Sequence, residues 1–184
     1  MLIYLVMGLL IFFAVHTVPA LDVKDSFVQK MGPLGYKGLF TLVTLAGFFL
    51  IIYGKAYSEF EPIWNPPAIN RYITMSIMLF ADFLLATSLI PNNFRRRIRH
   101  PMLIGVFLWG LAHLISNGDL ASILLFASFL IFAISKIRTQ SKRGPFEPPE
   151  RVSVALDITT VLLGLTIYLA FIYFHRYIGG ISLF

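Results

Sequence analysis

The chain has no cysteine, which excludes disulfides, thiolate-bound metals, thiolate haem ligation and cysteine nucleophiles. Any metal chemistry is confined to histidine and oxygen donors. Charge is scarce as well, with only 13% of the 184 residues being Asp, Glu, Lys or Arg. Strand-like alternation is missing, as are a phosphate-cradling glycine loop and a serine nucleophile elbow. Apolar surface is abundant instead: 58% of residues are hydrophobic and the mean hydropathy is +0.80. A soluble core does not account for that balance.

Several apolar runs approach or exceed the roughly 17–25 residues that cross a bilayer as a helix. The expected fold class is therefore all-α, a polytopic membrane helix bundle of about six transmembrane helices forming a single domain over 1–184. The expected spans are 2–20, 38–53, 72–90, 102–116, 120–135 and 152–174. Only Asn117, Gly118 and Asp119 separate the fourth from the fifth, which predicts a tight antiparallel hairpin. No Lys or Arg precedes the first apolar run, so it reads as a retained helix rather than a cleaved signal.

Basic residues set the expected topology. Lys24, Lys30 and Lys37 fall in the first loop, Arg95, Arg96, Arg97 and Arg99 in the third, and Lys136, Arg138, Lys142, Arg143 and Arg151 in the fifth. These are twelve of fifteen, so the positive-inside rule puts those loops in the cytoplasm and both termini outside. The net charge of +6 then faces anionic headgroups and calls for no nucleic-acid partner.

Polar residues in hydrocarbon are costly and need a reason. The richest stretch is 99–119, RHPMLIGVFLWGLAHLISNGD. Met102, Val106, Trp109 and His113 recur at helical spacing and share a face, with Gly105 and Gly110 permitting close approach by a helix or a flat ligand. His113 needs a hydrogen bond or a metal. Pro101 suits a helix start, and Arg99 and His100 are placed to meet lipid phosphates or an anionic cofactor group. His16 lies near the inner end of the first helix without a nearby acid. His175 borders an aromatic run and reads as an interfacial anchor.

His100 and His113 are roughly 20 Å apart along one helix at 1.5 Å per residue, so a ligand pair must come from different helices. Haem held by two imidazoles satisfies this. A carboxylate-assisted metal site involving Asp82, Asp119 or Asp157 is the open alternative. Asp119 reads as the N-cap of the fifth helix, Asp157 as the partner of a basic residue near the inner face, and Asp82 as the partner of a polar neighbour or water.

Arg99-His100-Pro101, Gly105, Trp109, Ala112-His113 and Asn117-Gly118-Asp119, with His16 before an apolar-proline stretch and Gly35-Tyr36-Lys37-Gly38, resemble the hallmark of the NnrU family of bacterial membrane proteins. That family is similar to plant zeta-carotene isomerase, a haem-b membrane enzyme, while its bacterial members are named for denitrification and nitric oxide metabolism. The resemblance implies haem b, with His16 and His113 as axial ligands and Trp109, His100 and Arg99 in the cofactor's surroundings. It further implies a bacterial inner-membrane location, and redox or isomerase chemistry on a lipophilic small molecule or on nitric oxide. Gly110 stands where the plant enzyme has a cysteine, so a ligand exchange through that position cannot operate here. One strain accompanies this assignment: alternating chain direction puts His16 toward the inner face and His113 toward the outer one, with His100 in reserve as the partner of His16.

Two further readings differ in class. One is a non-catalytic accessory or sensory subunit. The other is a membrane methyltransferase, because Arg-His-Pro followed by Gly105 also resembles the S-adenosylmethionine-binding stretch of isoprenylcysteine and phospholipid methyltransferases.

Overall fold

The computed structural model describes residues 1–21 and 23–178, so the C-terminal end whose side of the membrane was expected to be outer lies outside the described residues. Six α-helices follow in chain order: α1 (Leu2–Thr17), α2 (Val23–Ala56), α3 (Asn70–Leu89), α4 (Pro101–Ser116), α5 (Leu120–Ser141) and α6 (Val154–Ile178). Short 3-10 turns occupy Val18–Ala20 and Asn93–Arg96. Among the described residues there is no strand, only a lone bridge between Pro62 and Asp119. The all-helical membrane bundle expected from composition is the observed fold, and α2, α3, α5 and α6 are long and apolar enough to cross a membrane. At 16 residues each, α1 and α4 reach about 24 Å at 1.5 Å per residue, short of a hydrocarbon core of about 30 Å.

Helix ends depart from expectation where basic residues sit. α2 begins at Val23, fifteen residues before the expected start at 38, and it is interrupted at Gly32, whose φ of 73° and ψ of 165° are not helical. Pro33 then restarts the helix, since its fixed φ suits a first turn and its missing N–H costs nothing there. Lys24, Lys30 and Lys37 thus lie on helical turns rather than in a loop. α5 runs past the expected 135 to Ser141, carrying Lys136 and Arg138 on its last turns, where the carbonyl end of the helix favours cations.

The chain forms two compact units. The first comprises 1–65 with 118–128, and the second 66–117 with 129–184. In the first, α1 packs on α2 around the buried Leu5, Leu9 and Ile51. Backbones approach closely through glycine: a Cβ on Gly54 would lie 2.2 Å from the Leu5 amide nitrogen, and one on Gly8 would lie 2.6 Å from that of Ile51. In lipid, where apolar side chains gain little by leaving their surroundings, such close packing is what associates helices.

In the second unit α3 contacts both α4 and α6. Gly105 brings α4 against α3, its added Cβ falling 3.1 Å from the Ala81 carbonyl oxygen, and Gly164 brings α6 against α3, its added Cβ falling 2.9 Å from the Phe83 Cα. Polar side chains finish the exposed carbonyls at the end of α4, a requirement of any helix terminus. Asn70 donates to the Ile115 carbonyl at 2.8 Å, Thr74 to that of Ala112 at 2.8 Å, and the Asn117 side chain to that of His113 at 2.8 Å.

Candidate functional site

His113 sits in the last turn of α4. Its Nδ1 is 2.9 Å from the carbonyl oxygen of Trp109, one turn earlier. A carbonyl only accepts, so Nδ1 must carry the proton, and in the neutral ring Nε2 then holds the lone pair. The Trp109 ring lies 5.3 Å from that of His113, tilted by 49°, and makes an edge contact of 5.5 Å with Phe129. Gly105 and Gly110 are both buried, whereas Met102, expected on the same face, is exposed.

His175 comes to the same place from α6. Its ring centre is 6.5 Å from that of His113, with the two planes 21° apart. The reading of His175 as an interfacial anchor misses this. Its neighbours Tyr173, Phe174 and Tyr177 are exposed as an anchor belt requires, but His175 itself is half-buried. A signal for it existed in the alternation of chain direction, which carries the ends of α4 and α6 to one membrane face.

His16 lies in the last turn of α1, in the first unit. Its Nδ1 is 2.7 Å from the Phe12 carbonyl oxygen, so it has the same tautomer as His113. The ring stacks on Phe12 at 4.2 Å and meets the edge of Phe40 at 5.3 Å.

Arg99 and His100 are engaged with the end of α5. The Arg99 guanidinium donates to the carbonyls of Gln140 at 3.2 Å and Gly144 at 2.8 Å, closing a helix C-terminus as a cation does well. His100 Nε2 is 3.0 Å from the Ser141 hydroxyl. Burial, and then the Arg99 charge, hold the His100 imidazole below its ordinary range, which keeps it neutral at pH 7.

The three acids part company. Asp157 is bound not by a basic residue, as expected, but by Asn93, whose backbone N–H and side-chain amide donate to its two oxygens at 2.7 and 2.9 Å. Asn93 also exchanges two hydrogen bonds with the Val152 backbone, so the amide supplies geometry that a flexible cation would not. Asp119 is the expected N-cap of α5, accepting from Ser122 N–H at 2.9 Å. It further pairs with Lys55 at 2.9 Å, a contact across sixty-four positions with no local sequence signal. Burial raises the Asp119 carboxyl, but the hydrogen bonds from Ser122 and Lys55 outweigh it and leave the group below its ordinary range. Asp82 is buried on α3 at 3% exposure, and none of the described residues hydrogen-bonds its Oδ2.

Among the described residues no cluster of three His, Cys, Asp or Glu side chains is arranged to hold a metal ion, the set a catalytic zinc normally takes. The donor chemistry suits a group that needs imidazoles alone. A ligating histidine normally donates its second ring nitrogen to a carbonyl or carboxylate, which fixes tautomer and orientation. His16 and His113 both meet that condition.

No curated protein and no solved structure is detectably similar to the chain. The family model for the NnrU protein matches residues 4–183. That range takes in all but the first two residues of α1, the whole of the other five helices and each histidine described above, and on it the chain belongs to the NnrU family.

Proposed function

We propose that this NnrU-family chain is an integral-membrane haem-b-binding protein in which His113 would hold the iron. The observation that carries the reading is the His113 Nδ1 contact to the Trp109 carbonyl, which fixes the ring's tautomer and its orientation beside the Trp109 indole. Neutral imidazole with an oriented second nitrogen is the form that binds haem iron. The iron supplies one-electron redox chemistry or capture of a diatomic ligand such as nitric oxide. Trp109 fixes the ring and offers a flat apolar wall.

Arg99 and His100 act in this reading as a clasp on the end of α5. The same employment weighs against a methyltransferase, whose link to the chain is the Arg-His-Pro run with Gly105: Pro101 starts α4 and Gly105 seats it on α3.

The test is the absorption spectrum of the full chain purified in detergent from cells with ample haem. The expected result is a Soret band whose loss or shift follows His113→Ala. A colourless wild-type protein overturns the reading. Carbon monoxide or nitric oxide binding to the reduced protein separates a ligand-binding sensor or enzyme from an electron carrier with both axial positions filled.

A further inference from the structure

Asp119 and Asp157 each answer to two donors, Ser122 and Lys55 for the first and the backbone and side-chain amides of Asn93 for the second. Asp82 differs from both. It lies about 10 Å inside the nearer end of α3 at 1.5 Å per residue, too far for so short a side chain to reach an interface. It is 3% exposed, none of the described residues hydrogen-bonds its Oδ2, and no described Lys or Arg pairs with it.

On either side of Asp82 in the chain, another helix presses on α3. A Cβ added at Gly105 of α4 falls 3.1 Å from the Ala81 carbonyl oxygen, and one added at Gly164 of α6 falls 2.9 Å from the Phe83 Cα and 3.5 Å from the Ala86 Cβ. With about 3.6 residues per turn, the Asp82 side chain leaves α3 between these two contacts. The elements that pack there bring no cation to it. α4 is uncharged from Met102 to Trp109, with His113 two turns past Gly105. α6 brings the half-buried Tyr168, one turn past Gly164 and within electrostatic reach of Asp82, with Asp157 two turns before Gly164 and His175 three turns after it. The turn at Asn93–Arg96 carries Arg95 and Arg96, and Arg96 is spent on the Pro149 carbonyl.

A carboxylate in hydrocarbon with neither a cation nor a full set of donors is so costly that the group takes up a proton instead. An acid kept there only to brace the helices would be bonded through both oxygens, as Asp157 is. We propose that Asp82 is a proton-binding site within the membrane, its carboxyl holding a proton at neutral pH and exchanging it with water. On release the proton passes to water and the negative charge stays on the two carboxyl oxygens, with the Tyr168 phenol as the neighbouring donor; uptake reverses the step. Among the described residues no three His, Cys, Asp or Glu side chains come together to hold a metal ion, so a proton fits the donor set better than a metal does.

The test is infrared spectroscopy of the full chain in lipid vesicles, because the C=O stretch of a protonated carboxyl stands clear of the amide and carboxylate bands. The wild type is expected to show such a band at neutral pH, to shift it in deuterium oxide, and to lose it reversibly as pH is raised. Asp82→Asn is expected to abolish the band, while Asp157→Asn and Asp119→Asn leave it in place. If Asp82→Asn does not fold, Asp82→Glu decides, since it keeps the acid and is expected to displace the band. The proposal is overturned by a wild type without the band at neutral pH, by a band that survives Asp82→Asn or stays in place in Asp82→Glu, or by one that neither shifts in deuterium oxide nor disappears at raised pH. The readout is the carboxyl itself, so the result stands whether or not the haem reading does.

Discussion

Asp119 carries two duties on one carboxyl oxygen, capping α5 and neutralising Lys55. Its depressed carboxyl binds fewer protons folded than unfolded. The stability it contributes is therefore complete above the ordinary Asp value of 3.8 and is lost as pH falls through the lower folded value. Resistance of the detergent-solubilised chain to thermal unfolding should weaken as pH is lowered below about 4, and Asp119→Asn should flatten that dependence. At neutral pH, Asp119→Ala should cost about 1–2 kcal/mol for the lost cap, measured by the same melts. The cap was legible from Asn-Gly-Asp before an apolar run, because capping is local. The Lys55 pair was not, since a contact between distant positions leaves no mark in either neighbourhood. The same division separates the histidines. His113 declares itself as a polar residue within a helical face, whereas the approach of His175 to it depends on which helix end it meets.

At the scale of elements, glycine decides which helices touch. A Cβ at Gly54 would meet the Leu5 backbone, while one at Gly38 would meet nothing within 4 Å. Gly54→Ala should then cost about 1–3 kcal/mol through forced separation of α1 and α2. Gly38→Ala should be neutral or stabilising by up to about 1 kcal/mol, since Ala is the better helix former. Resistance to unfolding, followed by circular dichroism in detergent, checks the contrast. Helix number and order were readable from apolar run length. Apolar run length stops α5 too early at 135, because Lys136 and Arg138 read as loop residues although a helix's carbonyl end welcomes cations, and starts α2 too late at 38, because Lys24, Lys30 and Lys37 lie on helical turns. Gly32-Pro33 reads as a turn signal, and in the structure it interrupts α2 rather than preceding it.

For the whole molecule, the lack of cysteine makes the chain a ready background for site labelling. Arg143→Cys is expected to react with an impermeant maleimide only after the membrane is opened, and Glu59→Cys in intact cells, as the distribution of Lys and Arg requires. Reaction of both from the same side would refute the charge-derived topology. The first unit is also assembled from two stretches separated by more than fifty residues. The carbonyl of Gly118 accepts from the N–H groups of both Ile63 and Trp64, and Leu120 N–H reaches back to the Glu61 carbonyl. During synthesis the 58–65 segment must therefore wait, its backbone hydrated, until α3 and α4 have been made and the turn after α4 emerges. Contacts of such long sequence separation form late, so the first unit to begin is not the first to be complete, and a chain stopped before Gly118 lacks the partner that this segment binds.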